Sequence, residues 1–251
     1  MEGNLACLTM KDAPFNLISS EMVADVTQAV GELEKMQARG LLLCADGDNF
    51  SAGADVKMFL DWTPEQAGKV LTGFIDLVNR IESLPYPTMV AVQGMCLAGG
   101  LELALAFDFI WAADNAMLGQ VETTIGAIPY GGGAQRLAAR AGAARAKEIV
   151  LGGRFYPSTD FERFGIVNRT LTASELHPKA KKYIAKITEN GATFALDASK
   201  QIIHAYCHRG MAEADAVNKS LSPKTFETED LYLGVNSLLK NGPGKASFKG
   251  R

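Results

Sequence analysis

Leu97-Ala98-Gly99-Gly100-Leu101-Glu102-Leu103-Ala104-Leu105-Ala106 lies between two short apolar runs, residues 88–93 and 109–113. Its reading decides the fold. The runs have the length and bounding turn formers of buried strands. The segment between them reads as a glycine turn after Gly94 and a helix over about residues 99–107. Strand, turn, helix and strand joined by short links imply a mostly parallel sheet with right-handed βαβ crossovers.

Working outward, the same alternation recurs. Residues 5–10 and 41–45 are strand-like. Between them, Met22, Val23, Val26, Ala29, Val30 and Leu33 form a helical stripe within residues 19–37. A second helix spans 64–84, with Thr63 as N-cap, Pro64 in the first turn and Gln66 completing a capping box. Pro85 and Pro87 then force extended chain into the strand at 88. A further strand is expected at 166–171, and only helical patterns follow Glu175. The expected division is a core over 1–174 and a helical region over 175–251.

Composition narrows the functional classes. With 251 residues, 47% of them hydrophobic and 21% charged, the chain has an ordinary globular make-up and can bury a real core. The net charge of −3 is spread along the chain, without the basic face that nucleic-acid binding requires. Lys179, Lys181, Lys182 and Lys186 read as a solvated helix face. Cys7, Cys44, Cys96 and Cys207 are widely spaced and form no C-x-x-C pair, so they read as buried, reduced thiols rather than a zinc or redox site. No apolar run is long enough to span a membrane, and no basic-then-apolar leader opens the chain. A cytoplasmic protein without a metal site is expected. His177, His204 and His208 all fall in the helical last third and read as core or surface residues.

Three stretches carry candidate chemistry. Phe50-Ser51-Ala52-Gly53-Ala54-Asp55-Val56-Lys57 follows a strand, where ligands settle in open α/β sheets, and its small residues expose backbone N–H groups. Ala98-Gly99-Gly100 opens a helix, whose N-terminal N–H groups and dipole favour a developing anion. Glu102 follows within an apolar run, where a carboxylate is costly to bury without a partner or a purpose. Glu122 lies 20 positions on, ahead of the glycine-dense Ile125-Gly126-Ala127-Ile128-Pro129-Tyr130-Gly131-Gly132-Gly133. Two carboxylates in one pocket can relay a proton when their environments push their pKa values apart.

In this order and spacing the segments resemble the crotonase (enoyl-CoA hydratase/isomerase) family. Five phrases carry the likeness over nearly the whole chain: A-G-A-D-[IV]-K, G-G-x-E-L-A, F-G-x-x-E, [IL]-G-x-x-P-x-x-G-G-x-x-R-L and F-x-T-x-D. They end at Lys57, Ala104, Glu122, Leu137 and Asp230.

The resemblance implies an α/β fold, a crotonase-like spiral of ββα turns with a helical C-terminal trimerisation region, assembled as a homotrimer or dimer of trimers. It implies an acyl-CoA thioester substrate, with coenzyme A as part of the substrate and no separate cofactor. The thioester oxygen is expected to accept hydrogen bonds from Ala54 N–H and Gly99 N–H. Ala52, Ala54, Asp55, Val56, Lys57, Gly99 and Tyr130 would contact substrate or CoA. Glu102 would orient or deprotonate the attacking water, and Glu122 would protonate the α-carbon.

Hydration of an enoyl-CoA is the expected reaction. An acyl-CoA isomerase or decarboxylase of the same family is the alternative, and a non-catalytic CoA- or RNA-binding relative lies further off. Tyr130 is the main departure: the family's hydratases usually carry Gly after this proline, and some decarboxylases share the Pro-Tyr arrangement. The expected role is a pocket-wall aromatic. Val121 replaces a common proline, and Pro14-Phe15-Asn16-Leu17 lacks the nearby basic residue expected for a CoA phosphate. Met58, Phe59 and Trp62 are read either as an acyl-chain cover or as ordinary core.

Overall fold

The computed structural model describes residues 3–250, and side-chain statements leave out Glu34. Five parallel strands form the main sheet in the order β1-β2-β3-β5-β8: β1 Leu5–Met10, β2 Gly40–Ala45, β3 Thr88–Val92, β5 Phe109–Ala113 and β8 Arg169–Leu171. β2 and β3 are almost wholly buried, and their unbroken apolar runs suit strands covered on both faces. A second sheet joins β4 Met95–Leu97 parallel to β6 Met117–Gly119, which pairs antiparallel with β7 Tyr156–Pro157.

The helices follow as α1 Ser20–Lys35, α2 Pro64–Glu82, α3 Gly99–Leu105, α4 Gly133–Gly152, α5 Ser158–Arg163, α6 Ala173–Asn190, α7 Thr193–Arg209, α8 Met211–Leu221 and α9 Glu229–Asn241. Each inner turn of the spiral runs from a main-sheet strand through a short second-sheet strand into a helix, as in β3-β4-α3 and β5-β6-α4. The expected crotonase-like spiral of ββα turns is thus present. α2 begins at the Thr63/Gln66 capping box and buries Phe74, Leu77, Val78 and Ile81, one helical stripe, against the sheet core. Fully burying each such side chain contributes roughly 1.5–3 kcal/mol.

Several local expectations change. Regular pairing near the sheet edge covers only Arg169–Leu171; Ile166 and Val167 are buried without joining a strand. The second sheet, α4 and α5 add elements beyond those the sequence pattern delimits. α6, the first helix of the last third, is a layer of the core: Leu176, Ala180 and Ile184 pack with Leu5, Leu42, Met89 and Trp111. α7 is tied to the core by Lys200, whose Nζ donates to Asp108 Oδ2 at 2.9 Å and to Tyr86 O at 3.3 Å. Of the four cysteines only Cys96 is buried; Cys44 is half-buried, and Cys7 and Cys207 are exposed. No described helix is long and apolar enough to cross a membrane.

Candidate active site

The loop after β2 is laid against the start of α3 by backbone pairing. Phe50 N–H donates to Gln93 O at 2.8 Å, Ser51 N–H to Met95 O at 2.9 Å, and Leu97 N–H to Ser51 O at 3.0 Å. The N-terminal segment holds it from the other side, with Ala52 N–H donating to Phe15 O and Ile18 N–H to Gly53 O, both at 2.9 Å. Asn16 anchors that segment, its Nδ2 donating to Asp46 O at 3.0 Å and Asn49 O at 2.8 Å.

Two unusual backbone conformations result. Gly53 has φ +98°, and Ala98 has φ 48° and ψ −124°, a strained conformation for a residue with a side chain. A Cβ placed on Gly53 would lie 3.0 Å from the Ala98 methyl and 3.7 Å from Gly99 N. The N–H-bearing segments at Ala54 and Gly99 are therefore immediate neighbours. Gly99 opens α3, so its N–H has no acceptor within the helix.

Glu102 stands in the first turn of α3 and is 2% exposed. Its Oε1 accepts Gly133 N–H at 2.8 Å. That approach needs bare backbone: a Cβ on Gly133 would lie 3.0 Å from Glu102 Cγ, and one on Gly131 would lie 3.2 Å from Glu102 Oε2. Burial pushes the Glu102 carboxyl up to about 7, against the opposing pull of the Gly131 and Gly133 N–H groups. The nearby Glu122 charge adds to the rise, and Arg136 opposes it.

Glu122 begins a 3-10 turn, Glu122–Ile125, and is 8% exposed. Burial raises its pKa too, with N–H groups of Val121 and of Glu122 itself counteracting. Gln120 is fully buried beside Glu122. Oriented to satisfy its neighbours, its amide donates to Glu122 Oε1 at 3.2 Å and to Ala98 O at 3.1 Å. Sequence reasoning missed Gln120: a lone amide two residues before a glutamate has no motif of its own, and only its burial marks it.

A cavity of about 190 Å³ joins these parts. Ala52, Ala54, Val56, Gly99, Glu102, Glu122 and Tyr130 all line it. Asp55 and Lys57 do not. Asp55 caps a short 3-10 helix by accepting Lys57 N–H at 3.1 Å, and Lys57 points to solvent. Met58, Phe59 and Trp62 line the cavity and are not core. Phe59 packs on Trp62 with ring centroids 5.3 Å apart and meets Tyr130 edge-on at 6.4 Å. None of the three histidines reaches this cavity. Among the described residues there is no cluster of three or more His, Cys, Asp or Glu able to hold a metal ion.

Two buried acids of raised pKa, facing an apolar cavity edged by backbone N–H groups, suit proton transfer beside a carbonyl that becomes an anion. Comparison with known proteins agrees with this chemistry. The model of the enoyl-CoA hydratase/isomerase family matches residues 1–250. A protein named probable enoyl-CoA hydratase, from Mycobacterium tuberculosis, is 31% identical over 226 residues, covering 90% of this chain and 87% of its own. The mitochondrial enoyl-CoA hydratase of Pongo abelii is 30% identical, over 93% and 79% respectively. Among solved structures, an enoyl-CoA hydratase subunit from Geobacillus kaustophilus superposes with a TM-score of 0.91 at 27% identity, covering 100% of this chain and 96% of that one. An enoyl-CoA hydratase from Bacillus anthracis gives 0.90 at 27%, covering 97% and 96%.

Proposed function

Because the chain belongs to the enoyl-CoA hydratase/isomerase family, we propose that it is an enoyl-CoA hydratase, adding water across the 2,3 double bond of an enoyl-CoA thioester. The observation that carries this reading is the convergence of Glu102 and Glu122 on one cavity beside Ala54 and Gly99. Attack of water at C3 drives negative charge onto the thioester oxygen. Ala54 N–H and Gly99 N–H receive it, each worth about 3 kcal/mol in the transition state. Glu102, held on Gly133 N–H, takes the water proton. Glu122, held by the Gln120 amide, supplies a proton to the α-carbon. The two acids influence one another, so their titrations belong to the pair.

The acyl chain lies among Val56, Met58, Phe59, Trp62, Val70, Leu71 and Phe74, with Tyr130 as a wall. Asp55 and Lys57, outside the acyl cavity, remain contacts for the CoA portion. This chemistry uses substrate, water and side chains, with no separate cofactor. Ile203, Tyr206, Val235, Leu238 and Leu239 stay 47–79% exposed, which supports a homotrimer or dimer of trimers. The widely spaced cysteines, none in a C-x-x-C pair, support a cytoplasmic setting.

The test is loss of enoyl absorbance with crotonyl-CoA, run beside CO2 release from a malonyl-type thioester. Hydration is expected to dominate and to fall sharply in Glu102→Gln and Glu122→Gln. Faster decarboxylation in the unmodified protein overturns the reading.

A further inference from the structure

Arg136 lies in the first turns of α4 and is only 7% exposed, yet it lines no part of the catalytic cavity. A guanidinium withdrawn from water needs acceptors, and the glycine turn and α2 supply them to its two terminal nitrogens, while Nε is left without one. Nη1 donates to Gly131 O at 3.0 Å. Nη2 donates to Asn79 Oδ1 at 2.8 Å and Glu82 Oε2 at 2.6 Å, both at the end of α2. The other oxygen of Glu82 faces His208 Nε2, on α7, at 3.9 Å. Arg140 and His204 also feel the Glu82 charge.

The gripped carbonyl belongs to Gly131-Gly132-Gly133, the turn whose N–H groups hold Glu102. Three consecutive glycines make the loosest backbone a chain can have. Here they are required: a Cβ on Gly131 would lie 2.4 Å from the Phe74 ring, and Gly132 has φ +91°. The bareness that lets the turn approach Glu102 also leaves it without internal stiffness, so its shape must be fixed from outside.

We propose that Arg136, clamped by Asn79 and Glu82, is a positioning residue for Glu102: by gripping Gly131 O it holds the glycine turn on the carboxylate and so sets the pH at which Glu102 works as a base. The inference rests on the reading of Glu102 as the base that activates water. The direction of the electrostatics agrees, since the Gly131 and Gly133 N–H groups and the Arg136 charge all oppose the rise that burial imposes on Glu102.

The test uses Arg136→Lys, Arg136→Gln and Glu82→Gln. Lysine keeps the charge but lacks the planar fork that reaches three acceptors at once. Glu82→Gln leaves the guanidinium in place and loosens its clamp. Glu102 ionisation is followed directly, as the carboxyl infrared band that disappears when Glu102→Gln is added to each protein. The pH profile of kcat/KM for crotonyl-CoA is recorded in parallel. The Glu102 midpoint is expected to rise by about one pH unit in both Arg136 variants, carrying the acidic limb of the profile with it and leaving KM little changed. Glu82→Gln is expected to shift both in the same direction by less.

A folded Arg136→Lys or Glu82→Gln protein with an unmoved midpoint, losing kcat equally at every pH, overturns the proposal. Both variants serve if Arg136→Gln fails to fold. The failure of the underlying reading looks different: Glu102→Gln alone would then retain hydration, whatever the infrared midpoints do.

Discussion

Glu102→Gln is expected to disable the protein while gaining stability relative to it as the pH rises. The amide keeps an oxygen for Gly133 N–H but sets an NH2 where Oε2 faced Gly131 N–H; that cost is the same at every pH, and the part that varies with pH is the removal of a buried charge. The carboxyl titrates at about 7 in the folded chain against an ordinary value of 4.5. A carboxylate with a raised folded pKa costs stability once it ionises. The cost is nearly absent below the unfolded value, accumulates between the two, and is complete above the folded one. At 1.36 kcal/mol per unit, the penalty is about 1 kcal/mol near pH 5 and about 3 kcal/mol near pH 8. Glutamine escapes it, so its advantage over the native residue should widen by about 2–3 kcal/mol between those pH values. For a chain of this size that corresponds to roughly 5–10 °C in Tm. Thermal unfolding of both proteins across this pH range checks it. A stability difference that does not change with pH would show that Glu102 is not a desolvated acid, and the reasoning about its basicity would fail with it.

Gln120→Leu should lower crotonyl-CoA hydration by about 10²-fold or more, by leaving a Glu122 oxygen and Ala98 O without their shared donor. Steady-state rates with far-UV circular dichroism check this, and a folded variant of native activity refutes it. Tyr130→Phe should cost less than one neutral hydrogen bond, about 0.5–1.5 kcal/mol, because the ring and not the hydroxyl forms the wall; a larger loss of kcat/KM gives the hydroxyl a chemical role. Tyr130→Gly should extend turnover to bulkier acyl chains, read from kcat/KM over a chain-length series. Light scattering at micromolar concentration should return three times the chain mass or a multiple of it, and a monomeric mass removes the trimer.

The elements that could be read in the sequence were those with internal pattern. β1, β2, β3 and β5 are continuous apolar runs, and α2 carries both its capping box and its buried stripe. β4, β6 and β7 have only two or three residues, too few to display a period of two, and they exist because pairing partners distant in sequence arrive beside them. α4 hides its length because Gly142, at φ 79° and ψ 159°, interrupts the helical backbone. Cys7 and Cys207 show that an apolar neighbourhood in sequence does not determine exposure. At the site, Glu102 was visible because a charge inside an apolar run conflicts with its surroundings. Gln120 and the Arg136 clamp were not, because their meaning lies in contacts between α2, α4 and the loops that only the folded chain creates.

Where Gly53 meets the Ala98 methyl, two loops nearly fifty residues apart draw on a single reserve of space. A Cβ at 53 would press on that methyl at 3.0 Å and on Leu97 O at 3.1 Å, so the two positions compete for the same narrow space. Enlarging residue 53 would wedge the loops apart. Trimming Ala98 to glycine would ease a strained backbone but leave a gap through which the loops could slide. The spacing between the N–H groups of Ala54 and Gly99 is thus gauged by one carbon atom. A substitution at either position is therefore felt at the other.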